Sequence, residues 1–258
     1  MARDPLIVGI SGKKQAGKST LCSFLEHTLP SSQVGFTYVP DVKTYNFSDS
    51  LKERICKDVL GLSDEMVNGT DQQKSQFTGY VWEKLPMGIR EKYSSEYIDV
   101  PITNKHETYY EQKIKPRSGY ITGREIMQII GTDIFRQMFD ENIWVNATFN
   151  QIHRNDPDIA LIADVRFPSE VNAIYDHGGY IIRLTRSIYE DKHSSETALD
   201  DYDFSQISDR AYVLNNQDIN IGEKNTYVFE WLDNKCIALD SFLHGNKNIR
   251  YRTSSPPK

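Results

Sequence analysis

Apolar positions fall into two patterns along this chain. Leu6-Ile7-Val8-Gly9-Ile10 and Ile159-Ala160-Leu161-Ile162-Ala163 are unbroken apolar runs, which suit strands buried on both faces of a parallel sheet. Tyr180 to Thr185 and Ala211 to Leu214 read as further strands, and Val34 to Phe47 as an extended stretch. Between them the spacing turns helical. Leu21, Phe24, Leu25 and Thr28 share one face, with Pro30 and Ser31 as the stop. The side chains of Ser48-Asp49-Ser50 can cap a helix that begins near Leu51. Ile126, Met127, Ile130, Ile134 and Met138 line one face of a helix from Thr122, and a second helical stretch runs from about Glu141 to His153. Pro168 can open a helix that Gly178-Gly179 ends, and Thr226 to Leu243 forms a closing helix. Strand and helix alternate, so the pattern predicts an α/β fold with a doubly wound parallel sheet.

The alternation is interrupted from about residue 61 to 118, a stretch rich in Tyr, Lys and Glu, broken by Pro86, Pro101 and Pro116. A structureless loop of that length is out of place in a compact domain, so an insertion holding short helices or a hairpin, and covering a site, is expected. The whole of 1–258 then reads as one domain, with a polar, Ser/Asp-rich lid at about 187–206 and a frayed tail from about 246.

Composition changes this picture little. With 38% hydrophobic residues, 26% charged residues and a net charge of −6, the 258 residues describe a soluble globular protein. An acidic balance does not suit a polyanion bound along its length, so no nucleic-acid partner is expected, whereas a small anion in a local basic pocket stays compatible. No apolar run approaches the ~18 residues of a membrane helix. No signal-peptide core follows Met1-Ala2-Arg3-Asp4-Pro5 either. The expectation is no membrane and a cytoplasmic location. Cys22, Cys56 and Cys236 are scattered and odd in number, as reduced packing residues are. Oligomeric state is left open, a homodimer included.

The first strand and helix are joined by Gly12-Lys13-Lys14-Gln15-Ala16-Gly17-Lys18-Ser19, a glycine, four residues, then Gly-Lys-Ser. In such a loop the glycines let successive N–H groups curl around phosphates, and the following helix N-terminus favours their charge. Lys18 reaches the β and γ oxygens, and the Ser19 hydroxyl can hold Mg²⁺. ATP and Mg²⁺ are therefore the expected cofactors, with Gly12, Ala16, Gly17, Lys18, Ser19 and Thr20 at the phosphates. The plain alternative is a chance glycine-rich turn with a lysine. Nor does the loop by itself separate a kinase from a GTPase or a motor ATPase.

Other residues bear on that choice. At about 100° per residue, Arg124, Gln128, Gly131 and Phe135 fall within one ~60° arc of their helix, with Thr132 at its edge. They form either a wall for a phosphorylated ligand or the polar face of an ordinary amphipathic helix. Asp164-Val165-Arg166 closes an apolar strand at the end where ligands bind in open α/β sheets. Asp164 could orient Mg²⁺ or hold the acceptor, and Arg166 could bind phosphate; a structural ion pair is the alternative. Arg183 and Arg186 precede Asp191-Lys192-His193-Ser194-Ser195-Glu196, which reads as a cationic lid edge rather than a metal site, since it has no second histidine. Asn215-Asn216 faces the adenine or makes a turn, and Trp144 stacks on a base or fills the core.

The phosphate loop, the run Gly123-Arg124-Glu125-Ile126-Met127-Gln128-Ile129-Ile130-Gly131-Thr132-Asp133 with Trp144 after it, and Asp164-Val165-Arg166-Phe167 with Glu170 resemble the bacteriophage deoxynucleoside monophosphate kinases. These are relatives of adenylate kinase in fold. The likeness covers most of the chain outside the insertion, and Arg-x-x-x-Gln-x-x-Gly-Thr-Asp joined to a later Asp-Val-Arg is its specific part. It implies ATP-dependent phosphorylation of deoxynucleoside monophosphates to diphosphates, supplying DNA precursors. It also implies that Arg124, Gln128, Gly131, Thr132, Trp144 and Asp164 line the acceptor site, that Arg166 acts on phosphate and that Glu170 selects the base. Lys18, Lys14, Arg166 and Arg186 would neutralise charge at the transferring group. The rivals are another phosphate-loop kinase, acting on dephospho-coenzyme A or a sugar, and a nucleotide-binding regulator without transfer.

Overall fold

In the computed structural model, which describes residues 5–31, 40–104, 107–187 and 197–235, the two unbroken apolar runs lie side by side. The described strands are β1 (Leu6–Gly12), β2 (Val42–Tyr45), β3 (Phe77–Val81), β4 (Tyr97–Thr103), β5 (Thr108–Ile114), β6 (Tyr120–Thr122), β7 (Ile159–Val165), β8 (Tyr180–Leu184) and β9 (Ala211–Leu214). They belong to two compact units, one of Met1–Ser48 with Trp144–Lys258, the other of Asp49–Ile143.

The first unit is built on a five-stranded sheet of order β2-β7-β1-β8-β9, every pair parallel. Its central strands β1 and β7 are largely apolar on both sides because helices cover both faces. Ile7 of β1 packs on one face with Val171 and Ile174 of helix Pro168–Asp176 and Phe149 and Ile152 of helix Ile143–Asn155. Val8 and Ile10 pack on the other face, with Leu21 and Leu25 of helix Lys18–Ser31 and Val228 and Leu232 of helix Ile221–Lys235. From β1 the sheet extends one way through β7 to β2 and the other way through β8 to β9. The switch point therefore lies at β1, and its carboxyl end is where an open parallel sheet forms a ligand crevice. The doubly wound α/β expectation holds.

Several local expectations need correction. The closing helix starts at Ile221, not Thr226, because Asn220 is its cap: the Asn220 carboxamide oxygen accepts from the Glu223 N–H at 2.9 Å, and the Glu223 carboxylate accepts from the Asn220 N–H at 3.1 Å. Its expected end lies outside the described residues, as do the start of the extended stretch before β2 and the tail. The lid is only partly described, with 188–196 outside. Its described part is anchored by Leu199, buried in the core as Ile207 is just after it, with Asp200, Asp201, Asp203, Ser205 and Gln206 exposed.

The second unit carries short helices, an antiparallel pair β3·β6 and a solvent-exposed hairpin β4·β5. Two of its helical segments, Ser50–Val59 and Ile129–Phe139, are π-helical. The expected cap at Ser48-Asp49-Ser50 does not form: Asp49 is itself helical in backbone and its side chain makes no capping bond. The single α-helix expected from Thr122 is α-helical only over Gly123–Gln128, with a reciprocal Thr122–Glu125 cap. It then changes to i→i+5 bonding, seen in the 3.1 Å bond from the Asp140 N–H to the Phe135 carbonyl. That wider turn breaks the 100° phase past Gln128, so the arc drawn through Gly131 and Phe135 is not kept. Gly131 is buried, and a methyl group there would lie 2.6 Å from Leu51 Cδ2. Asp133, also buried, accepts from the Lys92 ammonium and, at 2.7 Å, from the Tyr93 hydroxyl.

Candidate active site

The loop after β1 is shaped by two residues of left-handed backbone, Gln15 at φ 61° and Gly17 at φ 90°. They reverse the chain within the five residues between β1 and the helix that starts at Lys18. Ala16 is buried at the base of the turn, and its N–H donates to the Lys13 carbonyl at 3.1 Å. The Lys18 side chain folds back over the loop and donates to the carbonyls of Gly12 and Lys13, the latter at 2.9 Å. The loop is thus closed on itself, with its last residues opening a helix whose free N–H groups and dipole favour an anion.

A cavity of about 390 Å³ opens on this loop. It is lined by Gln15 to Thr20, Arg186, Asn216, Ile219, Asn220, Ile221 and Lys224, with three cations and no acidic side chain. In a chain of net charge −6 that local imbalance suits an anion, and Ile219 and Ile221 give the cavity an apolar side. The Arg186 Nε is buried without a hydrogen-bond partner among the described residues, as a donor awaiting a ligand would be. Asn216 is buried and braces the loop: its amide donates to the Ala16 carbonyl at 2.9 Å and its oxygen accepts from the Arg186 N–H at 2.9 Å. Both ends of the Asn216 amide are thereby engaged with protein. Asn215 accepts from the Gln217 N–H at 3.2 Å, as a turn residue does. Ser19 and Thr20 line the cavity as exposed residues, and Lys14 is exposed on the loop outside its lining.

At the carboxyl end of β7, Asp164 accepts from the Phe47 N–H at 2.7 Å and from the Ser48 hydroxyl at 3.0 Å. This fixes its orientation and explains why Ser48 does not cap a helix. The Glu170 carboxylate, 2% exposed, accepts from the N–H groups of Arg166 at 2.7 Å and Phe167 at 3.1 Å, closing the start of helix Pro168–Asp176. Trp144 is buried in its helix. Arg183 is a core residue, donating to Ser11 Oγ at 2.9 Å and to Asp200 at 3.2 Å. In the second unit, the exposed Arg124 pairs with Asp71 at 2.8 Å, Gln128 is half-buried and Thr132 is exposed.

Four lining residues, Ile219, Asn220, Ile221 and Lys224, are absent from the reading of the sequence. Lys224 carried a usable signal, since it stands four and eight residues before Val228 and Leu232 on the buried face of one helix. Placing that helix's start at Thr226 hid it.

A parallel sheet with such a loop at the carboxyl end of its switch strand, running into a helix, is the architecture of phosphate-loop nucleotide-binding proteins. A profile of the deoxynucleotide monophosphate kinase family matches residues 75–223, more than half of the chain. The chain belongs to that family: it is a phosphotransferase that phosphorylates deoxynucleoside monophosphates. It is 25% identical over 183 residues to the deoxynucleoside-5'-monophosphate kinase of Escherichia phage T5, covering 64% of this chain and 70% of the relative. It is 26% identical over 207 residues to a protein of Acanthamoeba polyphaga mimivirus named for the same activity, covering 75% and 82%. The matched segment contains the Arg124–Asp133 run and Asp164-Val165-Arg166 but not the loop at Gly12–Ser19, which stands on its geometry. No helix among the described residues is long and apolar enough to cross a membrane.

Proposed function

We propose that this kinase takes ATP as phosphoryl donor, with the triphosphate in the cavity over Gly12–Thr20 and the base toward Ile219 and Ile221. The observation that carries this reading is the set of three cations and no acid around a glycine-bounded loop. Mg²⁺ fits the donor set. Among the described residues no three His, Cys, Asp or Glu side chains converge on a metal position, so the ion's ligands would be the Ser19 hydroxyl, phosphate oxygens and water, as suits a cation that keeps its waters. When bound, Mg²⁺ neutralises phosphate charge. Asp164, its orientation set by Phe47 and Ser48, would accept from a water of that ion or from the acceptor.

In the transfer, an acceptor phosphate oxygen bonds to the γ-phosphorus while the bond from that phosphorus to the β–γ bridging oxygen breaks, giving ADP and a deoxynucleoside diphosphate. The acceptor oxygen is already ionised near neutrality, so alignment and charge neutralisation do the work. Lys18, Lys14, Arg166 and Arg186 are assigned to that charge. Arg124, Gln128, Gly131, Thr132, Trp144 and Glu170 are assigned to recognition of the acceptor, on the likeness alone, each to be tested by its own substitution. The product would feed deoxynucleoside triphosphate supply.

The test is an acceptor panel with γ-labelled ATP and the four deoxynucleoside monophosphates, their ribose counterparts, dephospho-coenzyme A and sugars. Labelled deoxynucleoside diphosphate is expected. Transfer only to a coenzyme A precursor or a sugar, or ATP binding without any acceptor-dependent ADP, would end this reading.

A further inference from the structure

Lys224 stands outside the phosphate-loop motif and one residue beyond the segment matched by the family. It is 2% exposed, yet no acidic side chain is paired with it among the described residues. A buried ammonium without a counter-charge is costly, and burial, with the Arg186 guanidinium nearby, pushes its pKa down. Something else must hold a lysine on an otherwise apolar stripe.

What it touches is the phosphate loop. Its ammonium donates to the Gly17 carbonyl at 2.9 Å, an oxygen that also accepts the first helical bond from the Leu21 N–H at 3.1 Å. The preceding carbonyl, Ala16, is held by the Asn216 amide at 2.9 Å. Two successive peptide planes are therefore fixed by side chains that enter the sequence about two hundred residues later. In a trans peptide the C=O and the following N–H point in opposite directions, so anchoring the Ala16 and Gly17 oxygens also fixes the aim of the Gly17 and Lys18 N–H groups.

We propose that Lys224 is a positioning residue which, together with Asn216, presets the phosphate loop by holding the Gly17 and Ala16 carbonyls, so that the Gly17 and Lys18 N–H groups face the donor phosphates before nucleotide arrives. The proposal rests on the donor-site reading above. Preorganised donors bind an anion without the cost of ordering the loop at the moment of binding. Lysine suits this place because its charge strengthens the bond to a carbonyl and adds to the positive potential of the cavity it lines.

The test uses the full chain and its Lys224→Gln and Lys224→Arg variants. ATP binding is measured by calorimetry without acceptor, followed by separate KM values for ATP and for the acceptor, kcat, and the thermal midpoint. Lys224→Gln is expected to weaken ATP binding and raise its KM about tenfold, leaving the acceptor KM within twofold, with partial restoration in Lys224→Arg. A merely structural lysine would lower the midpoint while leaving ATP affinity and the KM ratio alone, and that result overturns the proposal. If Lys224→Gln does not fold, Lys224→Arg decides: an intermediate loss of ATP affinity supports the assignment, and unchanged affinity removes it. Failure of the parent chain to bind ATP at all would sink the donor site itself. Normal ATP binding in the parent with none lost in the variants would sink only the role of Lys224.

Discussion

Asp200 lies 2.9 Å from the Lys13 ammonium and 3.2 Å from the Arg183 guanidinium, so one carboxylate ties the phosphate loop to a buried arginine of β8. Arg183 in turn reaches Ser11 of β1. Asp200→Asn keeps the shape but leaves a largely buried cation without its counter-charge. It should lower the unfolding free energy by about 1–3 kcal/mol. The midpoint of urea unfolding reads this directly, and an unmoved midpoint would show that solvent already screens the pair.

Lys18 makes its bonds to carbonyls of its own loop, so its removal should be felt in turnover more than in folding. Lys18→Met is expected to reduce kcat by about 10²–10³-fold, the usual loss of a group aimed at developing charge. The thermal midpoint should stay within a few degrees of the parent. Retained activity would take Lys18 out of the site.

Gly17 is constrained twice. At φ 90° a side chain is strained, and an added methyl would stand 2.7 Å from Lys224 Nζ. Gly17→Ala should cost about 1–2 kcal/mol in backbone strain alone. It should also weaken ATP binding by displacing the Lys224 contact. Calorimetry on Gly17→Ala, Lys224→Gln and the double variant should give non-additive losses, because both changes break one contact. Strict additivity would separate the two residues.

The Cys22 thiol is buried in the core and is pushed up to about 12, first by desolvation and then by the carboxylates of Glu26 and Asp164. In the unfolded chain it ionises near its ordinary value of 9.0. Between those two values the native state holds the proton that the unfolded state has lost, so stability falls as pH rises through the window. The slope from this group approaches ~1.36 kcal/mol per pH unit. Cys22→Ala should flatten the stability profile above pH 9 relative to the parent. Parallel profiles from urea unfolding between pH 8 and 10 would contradict it.

In the second unit, Asp133 holds Lys92 and Tyr93 from a buried position on the π-helical segment Ile129–Phe139. Tyr93→Phe removes one of the two donors and should destabilise that segment by about 1–2 kcal/mol. Faster amide hydrogen exchange within Ile129–Phe139, with the β1–β7 amides unchanged, is the expected signature.

The parallel sheet was legible because β1 and β7 are apolar on both faces and the helices on one, and burial on both faces leaves few polar positions to blur those two runs. β9 was read to the residue, and helix Pro168–Asp176 announced itself through Pro168 and Gly178. The phosphate loop was legible because glycine at a left-handed position followed by Lys-Ser has few other uses. The π-helical segments were not, since their i→i+5 bonding leaves no mark in residue type, and the apolar spacing of Ile126 to Met138 suits an α-helix equally well.

Local chemistry along the chain therefore determined the order of elements, the position of the anion loop and, through the Arg124–Asp133 and Asp164–Arg166 runs, the likeness to one kinase family. Only the tertiary structure decided what holds that loop in shape. Asn216, Lys224 and Asp200 reach it from about two hundred residues away, once β8 and β9 extend the sheet from β1 and helix Ile221–Lys235 packs with helix Lys18–Ser31 on one face. Spacing records what neighbours along the chain share, whereas these contacts exist only once distant segments are buried against each other.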